Sequence, residues 1–401
     1  MIIKRKPPRH PRSGPSCLLV LLVVAAFGLG AFVVGNAQEV RDVIVPTATP
    51  EPTRSAAEHA TSAALYERDA EYENAVEAYE QAIALDETNL SYYLRLIDLL
   101  IAINRPQDAL ERAEQAQVLE AERPEVWVAR AAAHLANGYR LAETGGSDAE
   151  LAFQEAINAA AGATELDPNA AEAYAYMAEA LIQLGPERYN EAMENAALGV
   201  ELAPDNSVTR RAMARAFEVH GLYDNAIEEY LVALDQNPNL HDMRTDLAYL
   251  YFFSDRRQQG ILAMQDVIER DPNNAAAYDG LAYFYFVLGQ YPRAEENAFQ
   301  AVELDPDMTR AHAHLGAAYF QQSKYDTAIE ELNIAVSSYD EVTTSNATYF
   351  NMLGRAHYYQ NSCDQAVPYF EQVLNAAPDE FAVSQAQEGM ELCRQEQIQS
   401  E

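Results

Sequence analysis

The sequence contains little cysteine, little glycine or proline and few basic side chains, and each shortage excludes a class of protein. Three cysteines in 401 residues are too few for a disulfide-dense scaffold. With 17 Gly and 18 Pro in a chain that is 49% hydrophobic, the composition favours helix over sheet. The 27 basic and 62 acidic side chains give a net charge of −35, and so acidic a surface repels phosphate backbones. We therefore expect no nucleic-acid partner.

Motifs that support catalysis or bind cofactors are also missing. The sequence has no Gly-rich phosphate loop, no Gly-x-Ser-x-Gly elbow and no paired-Cys metal site. His312 and His314 are the closest pair of histidines, but residues two apart on a helix point in different directions. His134 and His357 occupy apolar positions that are typical of core residues. We expect no enzymatic activity, no metal and no cofactor.

The basic residues are concentrated at the N-terminus, ahead of an apolar run. Five lie in residues 1–16, which contain no acid, and this leaves 22 of the 27 basic side chains to face 62 acids in the rest of the chain. Residues 17–35 carry no charge, and as a helix they would rise about 28 Å, close to the ~30 Å hydrocarbon core of a bilayer. We interpret 1–16 as a cytoplasmic tail and 17–35 as a transmembrane helix or signal anchor. The positive-inside rule then puts the bulk of the chain outside the cytoplasm, on the cell membrane.

A cleaved signal peptide is the alternative interpretation of this segment. Small residues near Ala37 offer a cleavage site, and the mature protein would then be secreted. The apolar run is longer than is usual for a cleavable signal, which favours the anchor. In both cases residues 36–55, rich in proline and threonine, form an extended linker.

Self-similarity is the strongest signal in the sequence. Small residues recur at intervals of 34, 47, 36, 34, 34, 34, 34 and 38 residues. A second set of small residues and a set of prolines follow the same intervals, which chance does not produce. The first set is Ala75, Ala109, Ala156, Ala192, Ala226, Gly260, Ala294, Ala328 and Ala366.

Each interval fits two short amphipathic helices, neither of which can bury its apolar face alone. Small residues let the paired helices approach closely. Asp-Pro pairs such as Asp271-Pro272 end a unit, because proline lacks a donor and restricts the residue before it. The unit at 275–308 reads AAAYDGLAYFYFVLGQYPRAEENAFQAVELDPDM. This pattern of a small residue, an aromatic, Gly-x-Tyr, Ala and a closing Pro resembles the tetratricopeptide repeat.

The resemblance implies an all-α fold, a tetratricopeptide α-solenoid in which helix hairpins form a right-handed superhelix, here preceded by the single transmembrane helix. It covers residues 56–380, and residues 381–401 resemble the capping helix that closes such arrays. Two units depart from the pattern: one has Ile97 at a small-residue position, and another has Asp255 at the turn glycine. The expected units are 56–89, 90–123, 124–170, 171–206, 207–240, 241–274, 275–308, 309–346 and 347–380.

Two local features need separate interpretation. The unit at 124–170 carries 13 extra residues and a Gly145-Gly146 break. We expect both of its helices to be longer than usual, the alternative being a floppy insertion. Cys363 lies in the turn of the last unit and Cys393 near the end of the capping helix. Because a solenoid places neighbouring helix ends side by side, the two form a possible disulfide in an exported protein, or else remain inert thiols.

In this family the first helix of each unit lines a concave groove that binds a partner's peptide or helix. Projection on the 3.6-residue period turns a set of aromatics and arginines toward that groove in units 5 to 9. Because aromatics and Arg dominate interface hot spots, we predict that these residues bind the partner and that the arginines pair with its carboxylates. The alternative is that the aromatics pack on their neighbours. The predicted residues are Arg211, Arg215, Tyr249, Phe252, Phe253, Tyr283, Phe286, Arg310, Phe320, Arg355, Tyr358 and Tyr359.

The expected function is therefore a non-enzymatic protein–protein interaction scaffold, tethered to a membrane, that recruits or assembles envelope proteins. The expected partners are a protein or peptide in the groove and the lipid bilayer around residues 17–35. The excess of acid would attract basic partners, although acidic side chains also serve simply to solvate helix faces. The alternative is a ligand-sensing or transport-accessory protein that holds a small molecule or glycan in the groove.

Overall fold

The computed structural model describes residues 54–69, 71–146, 148–236 and 240–400. The predicted tail at 1–16, the predicted transmembrane helix at 17–35 and most of the predicted linker lie outside these residues. Within them, no helix combines the length and the apolar composition needed to cross a bilayer. The membrane assignment therefore stays a prediction.

The described residues form nineteen α-helices, a short 3-10 turn at Pro186–Arg188 and no strand, so the fold is all-α. Successive helices pack as hairpins, one in each expected unit, and α19 follows the last. The helices are α1 (Ala56–Arg68), α2 (Tyr72–Leu85), α3 (Leu90–Ala102), α4 (Pro106–Glu120), α5 (Pro124–Thr144), α6 (Ala149–Leu166), α7 (Ala171–Gln183), α8 (Tyr189–Leu202), α9 (Ser207–Val219), α10 (Tyr223–Gln236), α11 (His241–Phe253), α12 (Arg257–Arg270), α13 (Ala275–Val287), α14 (Tyr291–Leu304), α15 (Thr309–Gln321), α16 (Tyr325–Ser337), α17 (Ala347–Tyr359), α18 (Cys363–Ala376) and α19 (Glu380–Ser400).

Small residues bring the two helices of each hairpin together. The eight alanines that recur in the second helices are at most 1% exposed. Gly260 takes the equivalent place in α12, where a Cβ atom would stand 2.7 Å from the carbonyl oxygen of Ala248 in α11. Because backbone atoms cannot move aside as the end of a flexible side chain can, this hairpin needs glycine at the contact.

The hairpin turns share one residue in the left-handed region of backbone conformation. Glycine enters this region freely, and Asn or Asp enters it more readily than other residues. Asp255 therefore makes the same turn as the glycines of neighbouring units, and its unit folds as a hairpin despite departing from the pattern. The turn residues are Asn104, Gly221, Asp255, Gly289, Ser323 and Asn361, with φ between 56° and 71°.

The extra residues of the third unit lengthen its two helices, as expected. Helix α5 has 21 residues and α6 has 18, whereas both helices of the neighbouring fourth unit have 13 or 14. Gly145 ends α5 with a φ of 77°, its N–H donates to the carbonyl of Ala142 at 3.2 Å, and the N–H of Gly146 donates to the carbonyl of Leu141 at 2.8 Å. This pair of bonds is typical of a left-handed C-cap, so the insertion is an ordered extension of the hairpin.

The last helix, α19, packs against α17 and α18. The Sγ atoms of Cys363, the first residue of α18, and Cys393 in α19 lie 2.15 Å apart, as in a disulfide. Asn351 in α17 is buried and its Nδ2 donates to the carbonyl of Ala382 at 3.1 Å. These contacts hold α19 over apolar surface that the last hairpin would otherwise expose.

Candidate functional site

The array has an inner face, and the first helix of each hairpin lines it. Along most of the array the first helices of successive hairpins contact one another directly, whereas the second helices of successive hairpins do not. The side on which helices approach more closely is the inside of the curve. We call the surface formed by α3, α5, α7, α9, α11, α13, α15 and α17 the concave face.

The structure places most of the predicted groove residues at this face, half-buried or exposed. Phe253 is 57% exposed and Tyr359 is 43% exposed, which makes them the most accessible aromatics of the set. The prediction for Phe252 is wrong, because its side chain is only 2% exposed and stacks on Phe284 with ring centroids 4.1 Å apart. Phe252 lies one residue before Phe253 on α11, and its side chain points about 100° away from the concave face, toward α12 and α13.

The aromatics of the concave face partly pack on one another. Tyr249 stacks on Phe253 at 6.4 Å, and Phe253 reaches Tyr283 of the next unit at 6.2 Å between ring centroids. Tyr283 in turn stacks on His314 at 5.2 Å. This ladder uses part of the aromatic surface that was predicted to meet a partner.

A second aromatic group lies near the C-terminal end of the array. Tyr359 stacks on Tyr325 with centroids 4.8 Å apart and lies 6.3 Å from Phe320. With Arg355, these three residues line a cavity of about 350 Å³. Of the remaining predicted aromatics, Tyr358 contacts the ring of Tyr359, whereas Phe286 packs on Tyr291 within its own hairpin and does not join the group.

The predicted arginines lie at the concave face, but acids of this chain already neutralise them. Arg211 Nε donates to Glu179 at 2.9 Å, and Arg215 Nη2 donates to Asp246 at 3.2 Å. Glu179 raises the pKa of Arg211, and Asp246 does the same for Arg215. The expectation that these arginines await a partner's carboxylates is therefore corrected. Arg355 has a looser partner, Glu388 at 3.5 Å.

Asp279 is the centre of the most deeply buried charge cluster. Its carboxylate is fully buried and accepts from Arg310 Nε at 2.5 Å and from His314 Nδ1 at 2.6 Å. Burial alone would raise the pKa of Asp279, but the charges and hydrogen bonds of His314 and Arg310 outweigh burial and hold that pKa at about 2. The same pairing raises the pKa of Arg310.

The end of α5 extends across this face and meets a distant loop. Thr144 accepts the Asp340 N–H at 2.9 Å and donates its hydroxyl to Asp340 Oδ2 at 3.0 Å, and the two residues are 196 positions apart in sequence. Glu143 accepts from Arg310 at 3.3 Å. We call the contact between residues 143–146 and residues 339–346 the clasp.

Behind the clasp, α5 also covers the arginines of α9. The hydroxyl of Tyr139 donates to Glu179 at 3.3 Å, and the guanidinium of Arg215 lies over the Tyr139 ring at 5.7 Å. On the concave face of units 4 to 8, Arg211, Arg215 and Arg310 are thus paired with acids of this chain, and α5 covers part of the surface. We call this part of the concave face the closed region.

A cleft remains open on the concave face of units 2 to 4. It has a volume of about 310 Å³ and lies between α3, α5 and α7. None of its described lining residues is basic. The lining residues are Leu94, Asp98, Pro124, Glu125, Val128, Ala129, Ala132, Asp167, Ala170, Ala171, Glu172 and Tyr176. We call it the acidic cleft.

Sequence reasoning missed the acidic cleft because the groove prediction followed the aromatics and arginines, which cluster in units 5 to 9. Ala129 and Ala132 instead create the space of the cleft, since longer side chains there would fill it. The sequence did contain a signal for the cleft. Two alanines lie about one turn apart on the first helix of unit 3, and acids lie on the first helices of units 2 and 4. The clasp left no such local signal.

Models of the tetratricopeptide repeat match residues 62–91, 263–296 and 307–379. The chain therefore carries tetratricopeptide repeats, and with the packing of its hairpins it forms an all-α solenoid of these repeats. No curated protein sequence matches the chain.

Solved structures resemble the chain in fold. Yeast Tom70 is 14% identical over 86% of this chain and 97% of its own, with a TM-score of 0.51. Pseudomonas aeruginosa pilF is 15% identical over 55% of this chain and 97% of its own, with a TM-score of 0.46. A tetratricopeptide repeat protein from Parabacteroides merdae is 15% identical over 65% of this chain and 97% of its own, with a TM-score of 0.45. Identities this low concern the fold alone.

Proposed function

We propose that this chain of tetratricopeptide repeats is a non-enzymatic scaffold, tethered to a membrane by residues 17–35, that recruits or assembles envelope proteins through its concave face outside the cytoplasm. The repeat fold is suited to protein–protein interaction, because an extended array offers a long surface without a central active-site pocket. The Cys363–Cys393 pair supports an oxidising compartment, where disulfides persist.

One observation carries the proposal: the concave face combines a closed region, where arginines pair with acids of this chain, with an open cleft that no described basic residue lines. The cleft places apolar surface beside carboxylates that have no basic partner among its described lining residues. A partner that enters the open part would supply the missing counter-charges. The N-terminal anchor would keep that partner at the membrane.

The test uses the full chain in intact cells, with a photo-crosslinking residue placed at single positions. Val128 lines the acidic cleft, and Phe299, 49% exposed on the second helix α14, is a matched outer-surface control. We expect Val128 to crosslink to a discrete envelope protein and Phe299 not to do so. Accessibility to protease added outside the cytoplasm should show the array there. Crosslinking from both positions alike, or an array protected inside the cytoplasm, would contradict the proposal.

One observation favours the alternative, a ligand-sensing or transport-accessory protein. The acidic cleft, at about 310 Å³, falls at the lower end of the range of small-molecule pockets, about 300–1,000 Å³. Such a function requires a free small molecule to raise the melting temperature of the purified full chain. If small cationic metabolites do so at low micromolar concentration while Val128 gives no protein crosslink, the alternative replaces the scaffold.

A further inference from the structure

We propose that the acidic cleft is the docking site for a lysine or arginine side chain presented by an extended segment of the partner protein. This inference rests on the proposed scaffold function and specifies the chemistry of its partner. Three observations support it: the shape of the cleft, the lack of a side-chain partner for Asp98, and the absence of any basic group among the described residues that line the cleft.

The floor of the cleft is apolar and its rim is acidic. Leu94, Val128 and the two alanines of α5 form a surface without hydrogen-bonding side chains. Asp98 from α3 and Glu172 from α7 also line the cleft, and Glu172 accepts from Asn206 Nδ2 at 2.8 Å. A lysine or arginine side chain matches this arrangement, because its methylene stem packs on apolar surface while its charged end reaches carboxylates.

Asp98, like Glu218 of α9, lacks a side-chain partner in the described part of the chain, and of these two acids Asp98 is the one that lines the cleft. No hydrogen bond or ion pair is formed by its side chain. The nearest base on its own helix, Arg95, is committed to Glu67 of α1 at 2.7 Å. By contrast, Glu179, Asp246 and Asp279 each contact an arginine.

The surroundings of Asp98 make it favourable for a cation to bind beside this carboxylate. Partial desolvation by neighbouring helices raises the pKa of Asp98 to about 6 although the residue keeps contact with solvent, and Glu172 and Glu67 add to the rise while Arg95 opposes it. A carboxylate in this condition gains more from a cation than an ordinary surface carboxylate does. Two further acids line the cleft: Glu125 from α5 contacts Arg123, which lies outside the lining, and Asp167 accepts the N–H of Asn169 at 2.9 Å.

A protein segment fits better than a compact ion or a bulky ligand. The cleft is continuous with the concave face of the first helices, along which an extended chain can lie. The net charge of −35 also draws basic partners toward the array from a distance at low salt.

The experiment selects linear peptides from a random display library on the full-length protein in nanodiscs. Enriched peptides should share a lysine or arginine, and replacing it with methionine should weaken binding by about tenfold or more, as expected for the loss of a charged hydrogen bond. The double variant Asp98→Asn/Glu172→Gln should show the same loss. The matched control Glu150→Gln/Glu194→Gln, on exposed acids of second helices, should bind as the native protein does.

A pH titration adds a readout that loss of folding would not produce. Because Asp98 takes up a proton as pH falls through about 6, basic peptides should bind more weakly at pH 5 than at pH 7. This extra weakening should vanish in the single variant Asp98→Asn. Circular dichroism of each variant confirms that the helices are intact.

Several outcomes would overturn the inference. These are enrichment of peptides without a basic residue, equal binding of basic peptides to the double variant, and no enrichment at all. Failure here is separable from failure of the scaffold function, because a crosslinking residue at Tyr359, outside the cleft, would still capture a partner if the concave face binds proteins elsewhere.

Discussion

The two parts of the concave face are built from the same repeat but differ in how their charges are used. In the closed region, Arg211, Arg215 and Arg310 each meet an acid of this chain, and α5 extends over them. In the acidic cleft, Asp98 has no such partner and alanines leave space in front of it. The repeat therefore sets the shape of the face, whereas a few side chains decide which part is available to another molecule.

The physical basis of the difference is desolvation. A charge that is removed from water needs a partner, and breaking a buried pair is strongly destabilising. Asp279, fully buried, has two partners; Asp98 has none and remains in contact with solvent. The closed region thus contributes to the stability of the array, and the acidic cleft retains unpaired charge that a partner can use.

The largest change in stability is expected when the central charge of the closed region is removed. Asp279→Asn leaves Arg310 and His314 without their carboxylate, and we expect a loss of about 3 kcal/mol in the free energy of unfolding, at the low end for a broken buried pair because Arg310 keeps Glu143. Hydrogen exchange of α13 and α15 should accelerate accordingly. The control Asp307→Asn alters an exposed acid nearby and should change little. Equal exchange in both variants would show that the closed region is not stabilised by its charges.

Acid titration tests the same cluster without mutation. The pKa of Asp279 in the folded protein, about 2, lies below its ordinary value of 3.8. Its contribution to stability is therefore present above about pH 4 and is lost as pH falls from about 4 through 2, and it amounts to roughly 2 kcal/mol.

The measurement is the difference between two pH profiles of unfolding. The native protein should lose this extra stability between about pH 4 and 2, and Asp279→Asn, which has no carboxylate there, should not. Parallel profiles for the two proteins would mean that the carboxylate is not ionised and paired as the geometry indicates.

The clasp allows a test with an internal control. Gly145 and Gly289 both have a positive φ, 77° and 71°, so alanine strains the backbone equally at each. Only at Gly145 would the new Cβ meet another segment, 2.8 Å from the Glu341 carbonyl oxygen, whereas at Gly289 nothing lies within 4 Å. We expect Gly145→Ala to destabilise by about 1 kcal/mol more than Gly289→Ala. Hydrogen exchange of residues 339–346 should rise in the first variant alone.

Most of the fold could be predicted from the sequence because the signal repeats. Spacings of about 34 residues located the small residues of nine hairpins, and each is buried as that spacing requires. The turn at Asp255 departs from the sequence pattern but has the same backbone conformation as the glycine turns, since Asp tolerates the left-handed region. Local rules of this kind need no knowledge of distant residues.

The sequence also contains a signal for the charge pairs of the closed region, in the spacing of its acids and bases. Arg211 and Glu179 are 32 residues apart, and Arg310 and Asp279 are 31 apart, close to one repeat. Bases and acids at this spacing on first helices face one another across a hairpin boundary. At the equivalent distance from Asp98 stands Arg130, but it bonds to Gln117 at 3.0 Å. The clasp could not be predicted, because it joins residues 196 apart and depends on the curvature accumulated over five units.

The smallest expected effect is a gain in stability, opposite in sign to the losses expected for the other variants. It distinguishes the acidic cleft from the closed region most directly. Because the folded protein raises the pKa of Asp98 to about 6, its ionised form costs stability, and the cost grows as pH rises from about 4 to 6. Asp98→Asn should therefore stabilise the free protein at pH 7, by less than about 1 kcal/mol since the side chain is exposed, and less at pH 5. Melting temperatures at the two pH values measure this. A destabilised Asp98→Asn protein would mean that this carboxylate is a structural partner like Asp279, and the distinction between the two regions would fail.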